Sequence, residues 1–145
     1  MKVKKIAIGS DHAGFELKEI IIKHLVKLNI LVEDFGTFSS ERADYPDFAH
    51  PVANAVENNK VDLGILICGS GNGINMTANK HLRIRSALCW KPAIAEMARL
   101  HNDANIIALP ARFISNTDAL KCVDIFITTD FEGGRHTERI NKIAF

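Results

Sequence analysis

A cysteine followed by three alternating glycines forms the segment of this sequence that is best suited to chemistry. The apolar run 61–67 ends at Cys68, and Gly69-Ser70-Gly71-Asn72-Gly73 follows before an amphipathic segment begins. Glycines let the backbone turn sharply and approach a ligand closely, and a following helix points its free N–H groups into the same space. The pattern therefore predicts a loop that binds a small anion. A thiol at such a helix start can have its pKa lowered toward neutrality, which would make Cys68 a usable base or nucleophile.

Four known loop motifs differ from this segment in residue identity. A dinucleotide fingerprint needs glycine, and a cysteine phosphatase loop needs arginine, where Ile74 stands. A Walker loop ends in Gly-Lys-Ser/Thr, which is absent, and a hydrolase elbow needs glycine at the position of Cys68. We therefore expect the loop to bind a small anionic group by itself. The alternative for Cys68 is an inert buried cysteine that packs like a small hydrophobe.

Two pairs of polar residues lie at the ends of other predicted elements. Asp11 and His12 follow the first apolar segment, so we expect them at the sheet edge where the Cys68 loop emerges. The alternative for Asp11 is a helix N-cap. His101 and Asn102 lie between a helix and a strand, a position that normally faces away from the ligand side. The alternative for His101 is a charge partner of the helix C-terminus.

Arginines near the C-terminus predict a phosphate-binding surface. Arg135 and Arg139 are four residues apart, which on a helix places two guanidinium groups on one face, and His136 is a further donor. The alternative is a solvated basic face. Arg112, after the last predicted strand, is open to the same two interpretations. The sequence shows no spacing typical of a metal site, so no metal is expected.

Short apolar segments alternate with amphipathic helical patterns along the whole chain. The predicted strands are residues 3–8, 30–35, 61–68, 84–89 and 105–109, and the predicted helices are residues 15–26, 47–59, 74–81, 92–100, 117–127 and 136–144. This alternation predicts an α/β fold, a three-layer α/β/α Rossmann-like doubly wound parallel sheet of about five strands. Such folds bind ligands at the carboxyl ends of their strands, where the Cys68 loop begins.

Length and composition favour one domain that acts on a small molecule. The 145 residues, 47% of them hydrophobic, suit a single domain spanning residues 1–145. A net charge of +1 gives no field for nucleic acid or an anionic membrane. Three widely separated cysteines fit neither a disulfide framework nor a zinc site, so a reducing cytoplasm is expected. The first apolar run is interrupted too soon for a signal peptide or membrane span.

Five ordered motifs resemble the ribose-5-phosphate isomerase B family, which also contains the galactose-6-phosphate isomerase subunits. They are Gly9-Ser10-Asp11-His12-Ala13-Gly14, Ser-Glu-Arg-Ala-Asp-Tyr-Pro at 40–46, Cys68-Gly69-Ser70-Gly71-Asn72-Gly73, His101-Asn102-Asp103-Ala104-Asn105 and Glu132-Gly133-Gly134-Arg135-His136. The resemblance covers nearly the whole chain. It implies reversible isomerisation of ribose 5-phosphate and ribulose 5-phosphate in the pentose phosphate pathway, without metal or other cofactor.

The resemblance also implies a role for each motif residue. Cys68 would move a proton between C2 and C1, His101 would help open the furanose ring, and Ser70 would help stabilise the enediolate. The residues implied in substrate binding are Asp11, His12, Gly69, Gly71, Asn72, Gly73, Asn102, Arg112, Arg135, His136 and Arg139. Among them, the arginines would clamp the phosphate and the loop amides would meet the enediolate oxygen.

The family resemblance further implies a homodimer in which each site is completed by the neighbouring subunit and the C-terminal helix packs across the dimer. Pairing of dimers into tetramers stays open. Two positions depart from the family pattern: Pro110 stands where glycine is usual, which affects the placement of Arg112, and Ser70 stands where threonine is frequent. Two alternative functions also stay open, isomerisation of a six-carbon phosphate such as allose or galactose 6-phosphate, and non-catalytic sugar-phosphate binding.

Overall fold

Five parallel strands form one sheet in the computed structural model, which describes residues 2–144. The strands are β1 (Lys5–Ser10), β2 (Leu31–Asp34), β3 (Leu63–Cys68), β4 (Ser86–Leu88) and β5 (Ile106–Pro110). Their order in the sheet is β2-β1-β3-β5-β4, and all neighbouring pairs are parallel. The chain moves outward from β1 to β2, then returns to the other side of β1 at β3. The switch point between β1 and β3 is where doubly wound folds bind ligands.

Helices cover both faces of this sheet. They are α1 (Phe15–Lys27), α2 (Pro46–Glu57), α3 (Asn72–Ala78), α4 (Pro92–Asn102), α5 (Asn116–Thr128) and α6 (Arg135–Ile140), with a 3₁₀ turn at His12–Gly14. Alternate residues of β3 face opposite layers: Ile65 and Ile67 pack against α1, α4 and α5, whereas Leu66 and Cys68 pack against α2 and α3. The predicted three-layer doubly wound fold is confirmed.

The strand register brings the carboxyl ends of β1, β3 and β5 to the same edge of the sheet. Ser10 pairs with Ile67, and Cys68 pairs with Pro110. Every residue of β3 is buried, which explains why its sequence reads as an apolar run without polar alternation. The segments that follow these three strands, beginning at residues 11, 69 and 111, therefore lie side by side.

Several predicted elements are shorter in the structure, most of all the fourth strand and the last helix. The fourth strand was expected over 84–89 but spans only Ser86–Leu88. At its start the Arg85 N–H donates a hydrogen bond to the Asn105 side chain rather than to the backbone of a neighbouring strand. The last helix was expected over 136–144 but α6 ends at Ile140, and single turns continue the chain to residue 143. None of the helices between residues 2 and 144 has the length and apolarity that a membrane crossing requires.

Candidate active site

The loop between β3 and α3 surrounds the sulfur of Cys68 with backbone donors. Gly71 has a φ of 77°, a left-handed conformation that suits glycine, and it caps the start of α3. This turn directs the backbone N–H groups of Ser70, Gly71 and Ile74 toward Sγ. The Ser70 hydroxyl accepts hydrogen bonds from the Asn72 backbone and side chain, at 3.3 and 3.2 Å. The loop thus offers a set of fixed donors next to a thiol.

The surroundings of Cys68 oppose ionisation of its thiol. Its side chain is 4% exposed, and burial raises the pKa above the ordinary value of 9.0. The N–H groups of Ile74 and Gly71 act in the opposite direction, while the Asp11 carboxylate raises the pKa further. The net effect is a raised pKa, whereas a helix start alone can lower the pKa of a thiol. Desolvation of the buried thiolate outweighs the few dipoles of the seven-residue helix α3.

Asp11 and His12 lie beside the cysteine loop, as expected. Asp11 is 7% exposed; its Oδ1 accepts a hydrogen bond from the Gly14 N–H at 3.1 Å, and its own N–H donates to the Ile67 carbonyl at 3.2 Å. The carboxylate is therefore a helix N-cap and a fixed negative charge near Cys68. His12 uses Nδ1 to contact the main chain of Ala43, at 3.1 Å from its oxygen and 3.2 Å from its nitrogen. Nε2 is the ring nitrogen that remains for a ligand.

Arg112 also reaches the loop, despite Pro110. The proline ends β5, its carbonyl accepts the Phe113 N–H at 2.8 Å, and the resulting turn lets the Arg112 N–H donate to the Gly69 carbonyl at 3.0 Å. A Cβ added to Gly69 would lie 3.3 Å from Nη1 of Arg112. The guanidinium thus packs directly on the glycine loop, where an anion would meet it. We call Cys68, the loop 69–73, Asp11, His12 and Arg112 the cysteine group.

Two residues of this region were missed by the sequence analysis. The ring of Tyr45 lies against Gly73, where an added Cβ would come within 2.5 Å of its Cζ; the only sequence signal was its place in the motif at 40–46. Lys18 is fully buried, and its Nζ binds Asp34 at 2.7 and 2.8 Å. Asp34 in turn accepts the Gly36 N–H, and the Gly36 carbonyl accepts the Ser10 N–H. This chain of contacts fixes the segment that leads into Asp11.

The remaining predicted site residues lie elsewhere in the same chain. His101 and Asn102 end α4, and His101 stacks on His136 of α6 with ring centroids 4.3 Å apart and an interplanar angle of 14°. Arg135 and Arg139 are exposed on the same short helix. We call these five residues the histidine group. Burial of the His136 ring, together with the nearby charges of His101 and Arg135, lowers its pKa.

The cysteine group and the histidine group lie at opposite ends of the strands of the sheet. Only three residues separate the end of α4 from β5, so the histidine group is at the amino end of β5, whereas Cys68 pairs with Pro110 at its carboxyl end. A five-residue strand separates its ends by about 13 Å. The structure therefore brings each half of the predicted site together but does not bring the two halves together within one chain.

The comparison with known proteins assigns the chain to a family. Residues 6–143 match the family described as Ribose/Galactose Isomerase. The chain belongs to this family. The chain is 48% identical over 142 residues to the ribose-5-phosphate isomerase B of Escherichia coli strain K12, and the alignment covers 98% of this chain and 95% of that protein. The family resemblance inferred from the five motifs is confirmed.

Solved structures of this isomerase family have the same fold. The ribose 5-phosphate isomerase of Thermotoga maritima superposes with a TM-score of 0.96 at 50% identity, covering 99% of both chains. The Mycoplasma genitalium ribose-5-phosphate isomerase B, solved with bound ribulose-5-phosphate, gives a TM-score of 0.91 at 45% identity, covering 96% of this chain and 93% of that one.

In this isomerase the cysteine group has the parts needed to move a proton next to a carbonyl. Cys68 supplies a thiol that is basic in its ionised form, and the loop N–H groups supply hydrogen-bond donors beside it. Arg112 adds a positive charge at the mouth of the loop. The histidine group supplies donors and two further arginines, which suit a phosphate. Separately, folding brings a Glu132 carboxylate near His101 and His136, an arrangement that no sequence spacing indicated.

Proposed function

We propose that this chain is a ribose-5-phosphate isomerase that interconverts ribose 5-phosphate and ribulose 5-phosphate through an enediolate, as a step of the pentose phosphate pathway. The observation that carries the proposal is the thiol of Cys68 at the carboxyl end of β3, with three backbone N–H groups directed at it. Family membership and a relative that holds ribulose-5-phosphate support it. No step of this chemistry needs a metal or a nucleotide.

The proposed reaction moves one proton between neighbouring carbons. The Cys68 thiolate takes the proton from C2 of the open-chain aldose, and the electron pair of that bond forms the enediolate. The same thiol then returns the proton to C1, while the O2 proton passes to O1, which gives the ketose. The loop N–H groups and Ser70 stabilise the enediolate oxygen, and a donor of this kind typically contributes about 10²–10³ in rate.

The other motif residues receive roles that suit their chemistry. His101 assists opening of the furanose ring as a general acid and base, with Asn102 beside the reacting oxygens. Asp11 and His12 hold sugar hydroxyls or the phosphate. The residues proposed to bind the phosphate are Arg112, Arg135, His136 and Arg139. Phosphate binding, remote from the reacting carbons, helps to position C1 and C2 at the thiol.

We further propose a homodimer in which the histidine group of one chain completes the cysteine group of the other, with α6 lying across the interface. Support comes from the separation of the two groups, since a pentose phosphate cannot touch both edges of one sheet at once. A two-fold dimer forms two equivalent shared sites from the same surfaces. We place this dimer in the cytoplasm, because all three cysteines are free and buried.

A coupled assay on purified protein tests the proposed reaction. Wild type should convert ribose 5-phosphate, and Cys68→Ala should lose a factor of about 10²–10⁴ in kcat while still binding the substrate. Cys122→Ala is the matched control, because this cysteine lies on the buried face of α5, on the other side of the sheet from Cys68, and the variant should stay active. Full activity in Cys68→Ala would contradict the proposed base.

The same assay with allose 6-phosphate decides between the alternatives. Faster conversion of allose 6-phosphate than of ribose 5-phosphate would make a six-carbon sugar the substrate. Binding without conversion of either sugar, unchanged in Cys68→Ala, would indicate a sugar-phosphate sensor. We expect ribose 5-phosphate to have the higher kcat/KM.

Mixing two inactive variants tests the shared site. A Cys68→Ala chain paired with a His101→Asn chain has one site with both defects and one site with neither. Refolding the two together should therefore restore roughly a quarter of wild-type activity, because half of the dimers are mixed and each has one intact site. Two differently tagged Cys68→Ala preparations are the control and should restore none. A mixture that stays inactive would mean that each chain builds its site alone.

A further inference from the structure

A carboxylate and two imidazoles converge at the edge of the histidine group. One ligand atom from each of His101, Glu132 and His136 lies within 4.8 Å of the other two. Nε2 of His136 is 3.8 Å from a Glu132 oxygen. We propose that these three side chains bind a divalent late transition-metal ion such as Zn²⁺, and that the ion inhibits the isomerase. The inhibitory part rests on the function proposed above; the binding site does not.

The His136 side chain supplies a second, independent observation. The residue is 4% exposed, and its Nε2 is a buried nitrogen without a hydrogen-bond partner among residues 2–144. Buried polar groups are almost always satisfied by a protein group, a water or an ion, so an unsatisfied one calls for an explanation. A metal ion between His136, His101 and Glu132 would satisfy this nitrogen.

The ligand set selects the class of ion. Two imidazoles and one carboxylate are ligands typical of Zn²⁺ sites that keep a fourth position for water. Mg²⁺ and Ca²⁺ prefer oxygen ligands, so this site with two imidazole nitrogens does not suit them. The exposed arginines 135 and 139 lie nearby, and their charge weakens attraction for any cation, which favours an ion held by strong nitrogen bonds.

Binding requires a short approach of the ligand atoms and a rotation of the His101 ring. Tetrahedral zinc places its ligand atoms about 3.4 Å apart, so the widest pair must approach by less than about 1.5 Å. Glu132 is 53% exposed and precedes Gly133 and Gly134, so its side chain has room to adjust. The half-buried His101 ring must turn out of its stacked position to direct a lone pair at the ion.

The ion would act by occupying His101. An imidazole nitrogen bound to zinc neither accepts nor donates a proton, so ring opening that uses this nitrogen of His101 would stop. His136 would at the same time be withdrawn from the phosphate. Glu132 is the one ligand without a proposed catalytic or binding role, which makes it the position at which the metal site can be removed while the isomerase is kept.

Zinc titration of the full-length protein, in competition with a chromophoric chelator and without sugar, tests the site. Wild type should bind one Zn²⁺ per chain, and Glu132→Gln should weaken the affinity at least tenfold. Glu138→Gln, an exposed glutamate of α6 that is not a ligand, is the matched control and should bind as wild type. Cys68→Ala should also bind as wild type. Equal affinity in Glu132→Gln, or loss of binding in Cys68→Ala, would overturn the proposal.

Two further measurements identify the ligands and the effect. Co²⁺ bound to wild type should show d–d bands without a thiolate charge-transfer band; a thiolate band would overturn the site. Zn²⁺ should inhibit conversion of ribose 5-phosphate by wild type, and Glu132→Gln should keep basal activity while needing at least tenfold more Zn²⁺. An inactive wild type with normal zinc binding would refute only the proposed function. Normal activity without zinc binding would refute only this inference.

Discussion

The raised pKa of Cys68 predicts that the isomerase becomes faster from neutral to alkaline pH. Burial raises this pKa above 9.0, and the loop N–H groups compensate only in part. A thiol of pKa 9.0 is about 1% ionised at pH 7 and about 10% at pH 8. Cys68 is ionised less than this at each pH. Since kcat/KM reports the ionisation of the free enzyme, it should rise about tenfold from pH 7 to pH 8 and should still be rising at pH 9.

Two assays measure this ionisation independently. The first is kcat/KM for ribose 5-phosphate across this range. The second is the rate at which iodoacetamide alkylates Cys68, followed by mass spectrometry, because only the thiolate reacts. Both should rise together without a plateau. Cys122, which is fully buried, is an internal control and should react far more slowly. A plateau below pH 8 in both profiles would refute the dominance of burial over the loop donors.

Three further predictions concern stability and metal removal. Gly71→Ala should lower the free energy of unfolding in urea by about 2–5 kcal/mol, because the φ of Gly71 is 77° and an added Cβ would overlap Leu88. Gly133→Ala is the control: Gly133 has a φ of 74° but nothing within 4 Å of an added Cβ, so this variant should lose only about 1–2 kcal/mol. Equal losses in the two variants would contradict this reasoning. Burial raises the pKa of Cys89 to about 12 and of Cys122 to about 11, so above pH 9 these thiols ionise in the unfolded chain before they ionise in the folded one. The free energy of unfolding should therefore fall by about 1.4 kcal/mol per thiol at pH 10. The double variant Cys89→Ala/Cys122→Ala should not show this loss. Isomerase activity should survive treatment with a chelator, and a loss restored by added metal would argue against the thiol mechanism.

The arrangement of the fold could be predicted because its signals are local. Apolar runs and helical periodicity located all five strands and six helices, and the buried β3 was recognisable from its lack of polar alternation. The elements whose length was most overestimated, β4 and α6, are short and at the periphery. Their ends depend on particular contacts, such as the Asn105 side chain at the start of β4, which no periodicity encodes.

The places of the candidate residues in the fold were predictable in part, but their energetics were not. The position of His101 between a helix and a strand indicated the far edge of the sheet, and the structure places it there. The sign of the Cys68 pKa shift depends on burial, which is set by packing across the sheet. Likewise, the burial of Lys18 and the approach of Glu132 to His101 join residues distant in sequence. Such long-range contacts are invisible to motif spacing.

The distance between the cysteine and histidine groups has a consequence for regulation by protein abundance. If one subunit alone cannot complete a turnover, the monomer is inactive. At low expression the total activity then follows the square of the protein concentration rather than the concentration itself. Dilution would then switch the enzyme off without any effector. A cell carrying this protein would keep a threshold level of it, below which the sugar phosphates are left unconverted.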